Sequence, residues 1–360
     1  MRTFHCDHCG NALHFENVSC LRCGSSLAFL PDRMDLCALG PVPDEGGAWQ
    51  RPARDRGGRR WRLCANHGPM QACNFAVPAH DANPLCVSCR QTRVLPDLSV
   101  PQNKLRWYRI EVAKRRLFFS LARLGLVPTD PTRSPQRDLG PLYEFLADQP
   151  GQPVMTGHAN GVITLNVAEA DDDERVRRRL AMHEPYRTLL GHLRHESGHY
   201  YWDRLIQATG RQEAFRSVFG DERLDYAQAL RQHYDGGGQP ANWQDAYVSA
   251  YATAHPWEDW AETWAHYLHM VDLLETAADY RTRVCVPGAA GGEEQMEDPY
   301  AHEADDFDEL VAQWVPLTLL LNSLNRSLGH EDAYPFALSP AAQDKLRFVH
   351  DTIHAGTAGP

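Results

Sequence analysis

The sequence lacks any long apolar run. Its longest, residues 314–321, is interrupted by Pro316 and Thr318. Nothing approaches the ~18 apolar residues that a membrane span requires. No transmembrane segment is expected, and the run reads as a buried helix. The opening residues, MRTFHCDHCG, have no apolar core of the kind a secretory signal needs. The expected location is therefore the cytoplasm. Internal repeats are absent apart from paired cysteine motifs. Positive charge is also short, with 36 Lys+Arg against 47 Asp+Glu and a net charge of −11. The deficit is uneven: residues 1–100 hold 11 basic against 9 acidic residues, and the remainder 25 against 38. An acidic body argues against a broad nucleic-acid surface. The clustered basic residues Arg51, Arg54, Arg56, Arg59 and Arg60 sit in a Gly-containing stretch and read as a solvated loop.

What is present suits a globular chain of more than one domain. There are 360 residues, 43% hydrophobic and 23% charged. Nine of the ten cysteines fall within residues 1–91. Residues 92–103, with Pro96 and Pro101, read as a linker. Helical periodicity begins at Lys104 and runs to Leu124, with Gly125 as its stop. A short helix is expected at Leu142–Ala147. The β-branched alternation of residues 161–167 predicts a strand. The acids Asp171–Glu174 should open a helix that ends near His183, and Pro185 a second one reaching Ala208. A polar helix is expected from Arg211 to Tyr234, broken by residues 236–240. Further helices are expected at Pro256–Ala278, Phe307–Leu328 and Ser339–Ile353, with a loop over residues 288–298. The predicted class is mainly α with a small β-sheet.

Without a secretory signal the compartment is expected to be reducing, so paired cysteines point to metal rather than disulfides. Cys6, Cys9, Cys20 and Cys23 form two Cys-x2-Cys knuckles ten residues apart. Each knuckle puts two thiolates on one side of a tight turn, and two knuckles complete a tetrahedron around zinc. Gly10 and Gly24 follow the second cysteine of each pair, where a residue without a side chain lets the turn close. Cys64, Cys73, Cys86 and Cys89 form a second candidate set, although only the last two make a tight knuckle; Cys37 is a possible substitute for one of them. The preferred reading of Cys37 and Cys285 is a small buried hydrophobe. Both four-cysteine sites would be structural, because four thiolates leave zinc no open position.

The segment His195-Glu196-Ser197-Gly198-His199 has a different chemistry. On a helix, residues i and i+4 share a face, so His195 and His199 can hold one zinc ion while Glu196 stands beside it as general base. Gly198 leaves room for close approach of a neighbouring element. Zinc that does chemistry wants a third protein ligand. Glu258 and Glu262 lie one turn apart in a later segment that contains Trp257, Trp260 and Trp264, and that ends at His266. One glutamate can bind metal; the other can accept a hydrogen bond from a ligating histidine. Ala261 and Ala265 permit close helix packing.

This combination resembles the gluzincin pattern, and within it the branch similar to lethal factor and the Mlc titration factor. In that branch a tyrosine stands seven residues before the ligating glutamate. Tyr251 stands seven before Glu258, which implies Glu258 as ligand, Glu262 as its supporting acid and Tyr251 as the hydroxyl that meets the oxyanion. Asp259 departs from the aromatic usual there. A competing frame starting at Glu262 would make Glu262 the ligand, with His266 closing the segment. The whole chain is similar to a bacterial family of zinc-binding metallopeptidases with an N-terminal zinc ribbon, on the strength of the paired knuckles, residues 161–166, His195–His199 and His255–His266. The resemblance implies a zinc-ribbon domain at 1–91 with two structural zinc ions. It implies a zincin-like α+β metallopeptidase domain at 104–360 with one catalytic zinc, acting on a peptide or protein substrate. The strand at 161–167 is a candidate edge for holding an extended peptide. His158, His183, His192 and His269 read as structural or surface histidines.

Two other classes compete. One is a nucleic-acid-associated protease, since a zinc ribbon beside His-Glu-x-x-His also occurs in repair proteases. Those use a nearby third histidine, and the acidic body here disfavours the class. The other is a non-catalytic interaction protein whose zinc is entirely structural.

Overall fold

The structure is a computed structural model. It describes residues 2–43, 45–51, 58–67, 72–133, 138–181, 188–235, 240–287, 294–301, 306–336 and 338–357, with the backbone alone described at 178–181 and 357. Arg54, Arg56, His183, Pro185 and residues 236–239 and 288–293, each named above, lie outside the described residues. The chain divides into two compact units, Met1–Asp171 and Asp172–Pro360.

The first unit begins with a short hairpin, β1 (Phe4–His5) and β2 (Ala12–Leu13). A five-stranded antiparallel sheet follows, in the order β3 (Ser26–Leu30), β4 (Asp35–Pro41), β5 (Trp49–Gln50), β6 (Trp61–Leu63) and β7 (Ala76–Pro78). The stretch expected to be a linker is structured. Its first residues form β8 (Thr92–Val94), and Pro101, in the first turn where its missing N–H costs nothing, opens α1 (Pro101–Arg123). Helix α1 belongs to the core of this unit. Phe119 lies 6.2 Å from Phe4, 5.7 Å from Phe15 and 6.0 Å from Phe29, and Phe118 lies 5.8 Å from Phe75, in edge-on contacts that suit aromatic quadrupoles.

A second sheet is ordered β10 (Gly157–Ala159), β11 (Val162–Asn166), β9 (Leu142–Leu146), β8. Residues 142–146 are a strand rather than the expected helix. Tyr143 and Phe145 are buried while Leu142, Glu144 and Leu146 are half-buried, a period of two that fits a pleated strand. The strand at 162–166 forms as expected, but it is not an edge. β9 pairs with it on one side and β10 on the other, so its backbone groups are already used.

The second unit is helical: α2 (Asp172–Ala181), α3 (Leu189–Trp202), α4 (Gln212–Phe219), α5 (Tyr226–Asp235), α6 (Pro256–Asp279), α7 (Phe307–Ser327) and α8 (Pro340–Thr357), with a small ladder of β12 (Arg283–Val284) and β13 (Glu294–Gln295). Thr188 caps α3 by accepting from the Gly191 N–H at 3.0 Å, and a single π turn at Asp203–Gln207 ends it. The expected helix at 211–234 is split by Gly220, whose φ of 98° leaves the helical region. The apolar run in α7 buries one face only: Trp314 and Leu317 are inside, whereas Val315, Leu319 and Leu320 are exposed. Among the described residues no helix is long and apolar enough to cross a membrane.

Candidate functional site

Helices α3 and α6 set the central geometry. Gly198 of α3 faces Ala261 of α6, and a Cβ at Gly198 would come within 2.9 Å of the Ala261 Cα and 3.2 Å of Trp264. The absent side chain is what lets the two backbones close. Trp260 donates its indole N–H to the Gly198 carbonyl at 2.8 Å, Trp264 donates to Ser197 Oγ at 3.1 Å, and the Trp264 ring stacks on Tyr201 at 4.9 Å. Trp260 and Trp264 are fully buried, and Trp257 is half-buried.

This packing brings His195, His199 and Glu258 together, with one ligand-type atom from each lying within 4.8 Å of the others. The Glu258 Oε2 is 3.0 Å from His195 Nε2 and 3.5 Å from His199 Nε2. On its other side His195 presents Nδ1 to Glu262 Oε1 at 2.6 Å. A carboxylate accepts only, so Nδ1 carries a proton toward Glu262, and Nε2 is the atom turned to Glu258. Glu258 Oε2, buried, accepts no hydrogen bond among the described residues. Two imidazole nitrogens and a carboxylate oxygen converging in a buried site are the donor set of a cation. Two imidazoles and a carboxylate suit zinc.

The supporting contacts run outward from there. Ser249 donates to Glu262 Oε2 at 2.5 Å. Tyr226, from α5, donates to Glu258 Oε1 at 2.6 Å. The Trp257 ring lies 3.9 Å from that of His199. Tyr251, in the short turn Tyr251–Ala254, has its ring 5.9 Å from the His195 ring. Glu196 is buried beside the cluster with His192 Nε2 3.2 Å from its Oε1, while its Oε2 has no hydrogen-bond partner among the described residues. His266 is not in the cluster; its Nδ1 pairs with the Tyr334 hydroxyl at 2.9 Å.

Charge states follow from burial and neighbours. Burial works against a charged His195, but the Glu258 and Glu262 carboxylates outweigh it and put its pKa well above the ordinary value, so a cation bound there would take the place of the proton on Nε2. Burial raises Glu258, and the charges of His199 and His195 beside it overcome this and hold it well below the usual range. Glu262 is likewise desolvated, yet His195 holds it at about 2. Burial pushes Glu196 up, and the His192 contact with the other imidazoles carries it below its ordinary value. Burial and the Glu258 carboxylate both push Tyr251 and Tyr226 up, with Tyr251 pulling Tyr226 slightly the other way. Both phenols therefore keep their protons and act as donors.

The cysteines assemble into two further sets. Cys6, Cys9, Cys20 and Cys23 converge, as do Cys64, Cys73, Cys86 and Cys89, with sulfurs within 4.8 Å of one another in each set. Sulfurs at ~2.3 Å from a tetrahedral zinc stand about 3.8 Å apart. The closest pairs match this: 3.7 Å for Cys6–Cys23, 3.6 Å for Cys9–Cys20 and 3.7 Å for Cys73–Cys86. All ten cysteines are free of disulfides. Gly10 and Gly24 both have φ of +72°, and their N–H groups return to the Cys6 and Cys20 carbonyls at 2.7 and 2.9 Å, so the knuckles close as expected. In the second set the amides of Phe75, Cys86 and Cys89 donate to Cys73, Cys64 and Cys86 sulfurs at 3.3–3.4 Å, which spreads thiolate charge. Burial weakens the Arg115 charge, but Cys73, with Glu111 and the other thiols, outweighs it and keeps the guanidinium as a counter-charge. Cys37 is fully buried in the sheet, as expected of a small hydrophobe. Cys285 is not: it is exposed at the end of the small ladder.

Three supporting residues escape a reading of the sequence. His192 precedes Glu196 by one helical turn, a spacing that could have nominated it. Tyr226 lies in a helix with no buried residue, and Ser249 in an irregular stretch, so neither carries a periodic signal.

Comparison with known proteins gives the family. Residues 103–352 match the family described as "Putative zinc-binding metallo-peptidase", and residues 3–100 match a zinc-ribbon domain. A protein described as uncharacterized from Mycobacterium bovis is 43% identical over 354 residues, covering 98% of this chain and 95% of that protein. Two from Mycobacterium tuberculosis, strains CDC 1551 and H37Rv, match with the same identity and coverage. No solved structure matches the chain.

Proposed function

Given that the chain belongs to this zinc-binding metallo-peptidase family, we propose that its second unit hydrolyses peptide bonds at a zinc ion held by His195, His199 and Glu258. The observation that carries the reading is the convergence of His195 Nε2, His199 Nε2 and Glu258 Oε2, with the far nitrogen of His195 fixed by Glu262. Zinc bound there supplies Lewis acidity toward a water and a peptide carbonyl.

The remaining work falls to the chain. Glu196 is ionised and buried beside the cluster, so it takes the proton of the attacking water and returns it to the leaving amine. His192 holds one oxygen of Glu196 and leaves the other free for that transfer. Tyr251 keeps its proton and offers it to the oxyanion. Glu262, steadied by Ser249, fixes the tautomer of His195. The four-cysteine sets hold structural zinc, since neither leaves a coordination position for substrate. The fold of the second unit is read as zincin-like and its ligand pattern as gluzincin-like, on the i, i+4 histidines of α3, the glutamate of α6 and the tyrosine seven residues before it.

The test is Glu196→Gln in the full chain. Zinc content should match wild type, and cleavage of a casein or mixed peptide substrate should fall by about 10²–10⁴-fold. Equal rates in the two proteins would return the chain to the class of non-catalytic zinc proteins.

A further inference from the structure

Glu258 has two carboxylate oxygens, and the fold treats them differently. Oε2 faces the two histidines. Oε1 is taken by the Tyr226 hydroxyl at 2.6 Å, which must be the donor because the carboxylate can only accept. The Tyr226 contact is itself built. His255 caps the N-terminus of α6 by accepting from the Trp257 N–H at 3.0 Å through Nδ1. Its Nε2–H donates in the opposite direction to the Leu224 carbonyl at 3.1 Å. One imidazole thus ties the first turn of α6 to the chain two residues before Tyr226. The Tyr226 ring then lies edge-on to His255 at 5.3 Å and to Trp257 at 5.9 Å. Segments 224–226 and 255–258 are joined at both ends, with Glu258 as the endpoint.

We propose that Tyr226 is a positioning residue for Glu258: held by the His255 tether, it occupies Oε1 and so presents Oε2 alone to the metal. This rests on the ligand set proposed above. A carboxylate free to offer both oxygens would fill the position that a hydrolytic zinc site keeps open for substrate. A hydroxyl on the outer oxygen also fixes the rotation of the carboxylate, which is how partners outside the ligand set tune affinity and orientation. Helix α5 has no buried residue, yet it carries this hydroxyl to the buried Glu258.

The experiment measures zinc release from full-length protein to a competing chelator for wild type, Tyr226→Phe, His255→Asn and His195→Ala. Tyr226→Phe removes one hydroxyl. His255→Asn keeps a favoured N-cap residue but loses the reach to Leu224. His195→Ala supplies the baseline of zinc held by cysteines alone. Tyr226→Phe is expected to keep wild-type helicity and the cysteine-bound zinc, to release the remaining zinc about 10–100 times more readily, and to lower kcat more than it changes KM. His255→Asn should shift release in the same direction by less, and the double variant should be less than additive, because both act through one contact. If His195→Ala loses one zinc but Tyr226→Phe releases zinc within twofold of wild type, the positioning role is overturned while the ligand set stands. If His195→Ala holds as much zinc as wild type, both fall.

Discussion

The Nδ1 of His195 lies 2.6 Å from one oxygen of Glu262, and Ser249 donates to the other oxygen at 2.5 Å. This chain of two hydrogen bonds decides which face of the imidazole is free. Glu262→Ala should therefore weaken zinc binding at the His195 site by about 10–100-fold without touching the cysteine-bound metal. Ser249→Ala, which leaves the carboxylate in place, should have a smaller effect in the same direction. Zinc titration of the two variants gives the order; equal losses, or a larger one for Ser249→Ala, would contradict it.

Gly198 and Ala261 meet where α3 packs on α6. A methyl group at Gly198 would meet the Ala261 Cα at 2.9 Å, a backbone atom that cannot rotate away. Gly198→Ala should destabilise the second unit by about 1–3 kcal/mol, since overpacking forces the helices apart. It should also loosen the His195–Glu258 contact that spans them. Denaturant unfolding checks the first expectation and zinc content the second. Unchanged values for both would mean that the helices do not meet at this point.

Much of the site was legible because it obeys short-range rules. His195, Glu196 and His199 need only a helix, and Glu258 and Glu262 need only a second one facing it. Gly198 and Ala261 marked where two elements could approach closely. The knuckle glycines announced the turns that close the first cysteine set. What the pattern could not carry was pairing at long range. Residues 142–146 have mixed periodicity, and only the parallel partners β8 and β11 make them a strand. Residues 92–103 contain two prolines and look like a linker, but Thr92–Val94 joins that sheet and Pro101 starts a helix. Tyr226 reaches Glu258 across 32 positions, and nothing local in the polar helix α5 signals it.

The three metal sites should differ in how they release zinc. Wild-type protein is expected to carry three zinc ions: two inside closed sets of four thiolates, and one with three protein ligands and an open side. A chelator such as dipicolinate should remove one ion quickly, together with activity, and the other two slowly. Adding zinc should restore activity. His195→Ala should lack the fast ion, and Cys6→Ala one of the slow ions. A single release phase for all three ions would argue against this division.

Cys37 and Cys285 should separate by reactivity. Burial, with Asp35 beside it, pushes the Cys37 thiol up to about 12, and the thiolate is the reactive form. At pH 8 the zinc-loaded protein should therefore show one rapidly alkylated cysteine, Cys285, identified by peptide mapping. Cys37 should react only on unfolding. Rapid alkylation of Cys37 in the native protein would show that the sheet around it opens.

His192 stands one turn before Glu196, with Nε2 3.2 Å from its Oε1. It lies outside the cluster of His195, His199 and Glu258, so its substitution should separate orientation of the base from metal binding. His192→Phe keeps an aromatic ring but no donor. Loss of one hydrogen bond to a charged group costs about 1.5–3 kcal/mol, which corresponds to roughly 10–100-fold in rate if the bond orients Glu196 in the transition state. kcat/KM should fall by that factor while zinc content stays at the wild-type value. His192→Gln, which can still donate through its amide, should recover part of the loss. An unchanged kcat/KM in His192→Phe would mean that Glu196 is held by its backbone and packing alone.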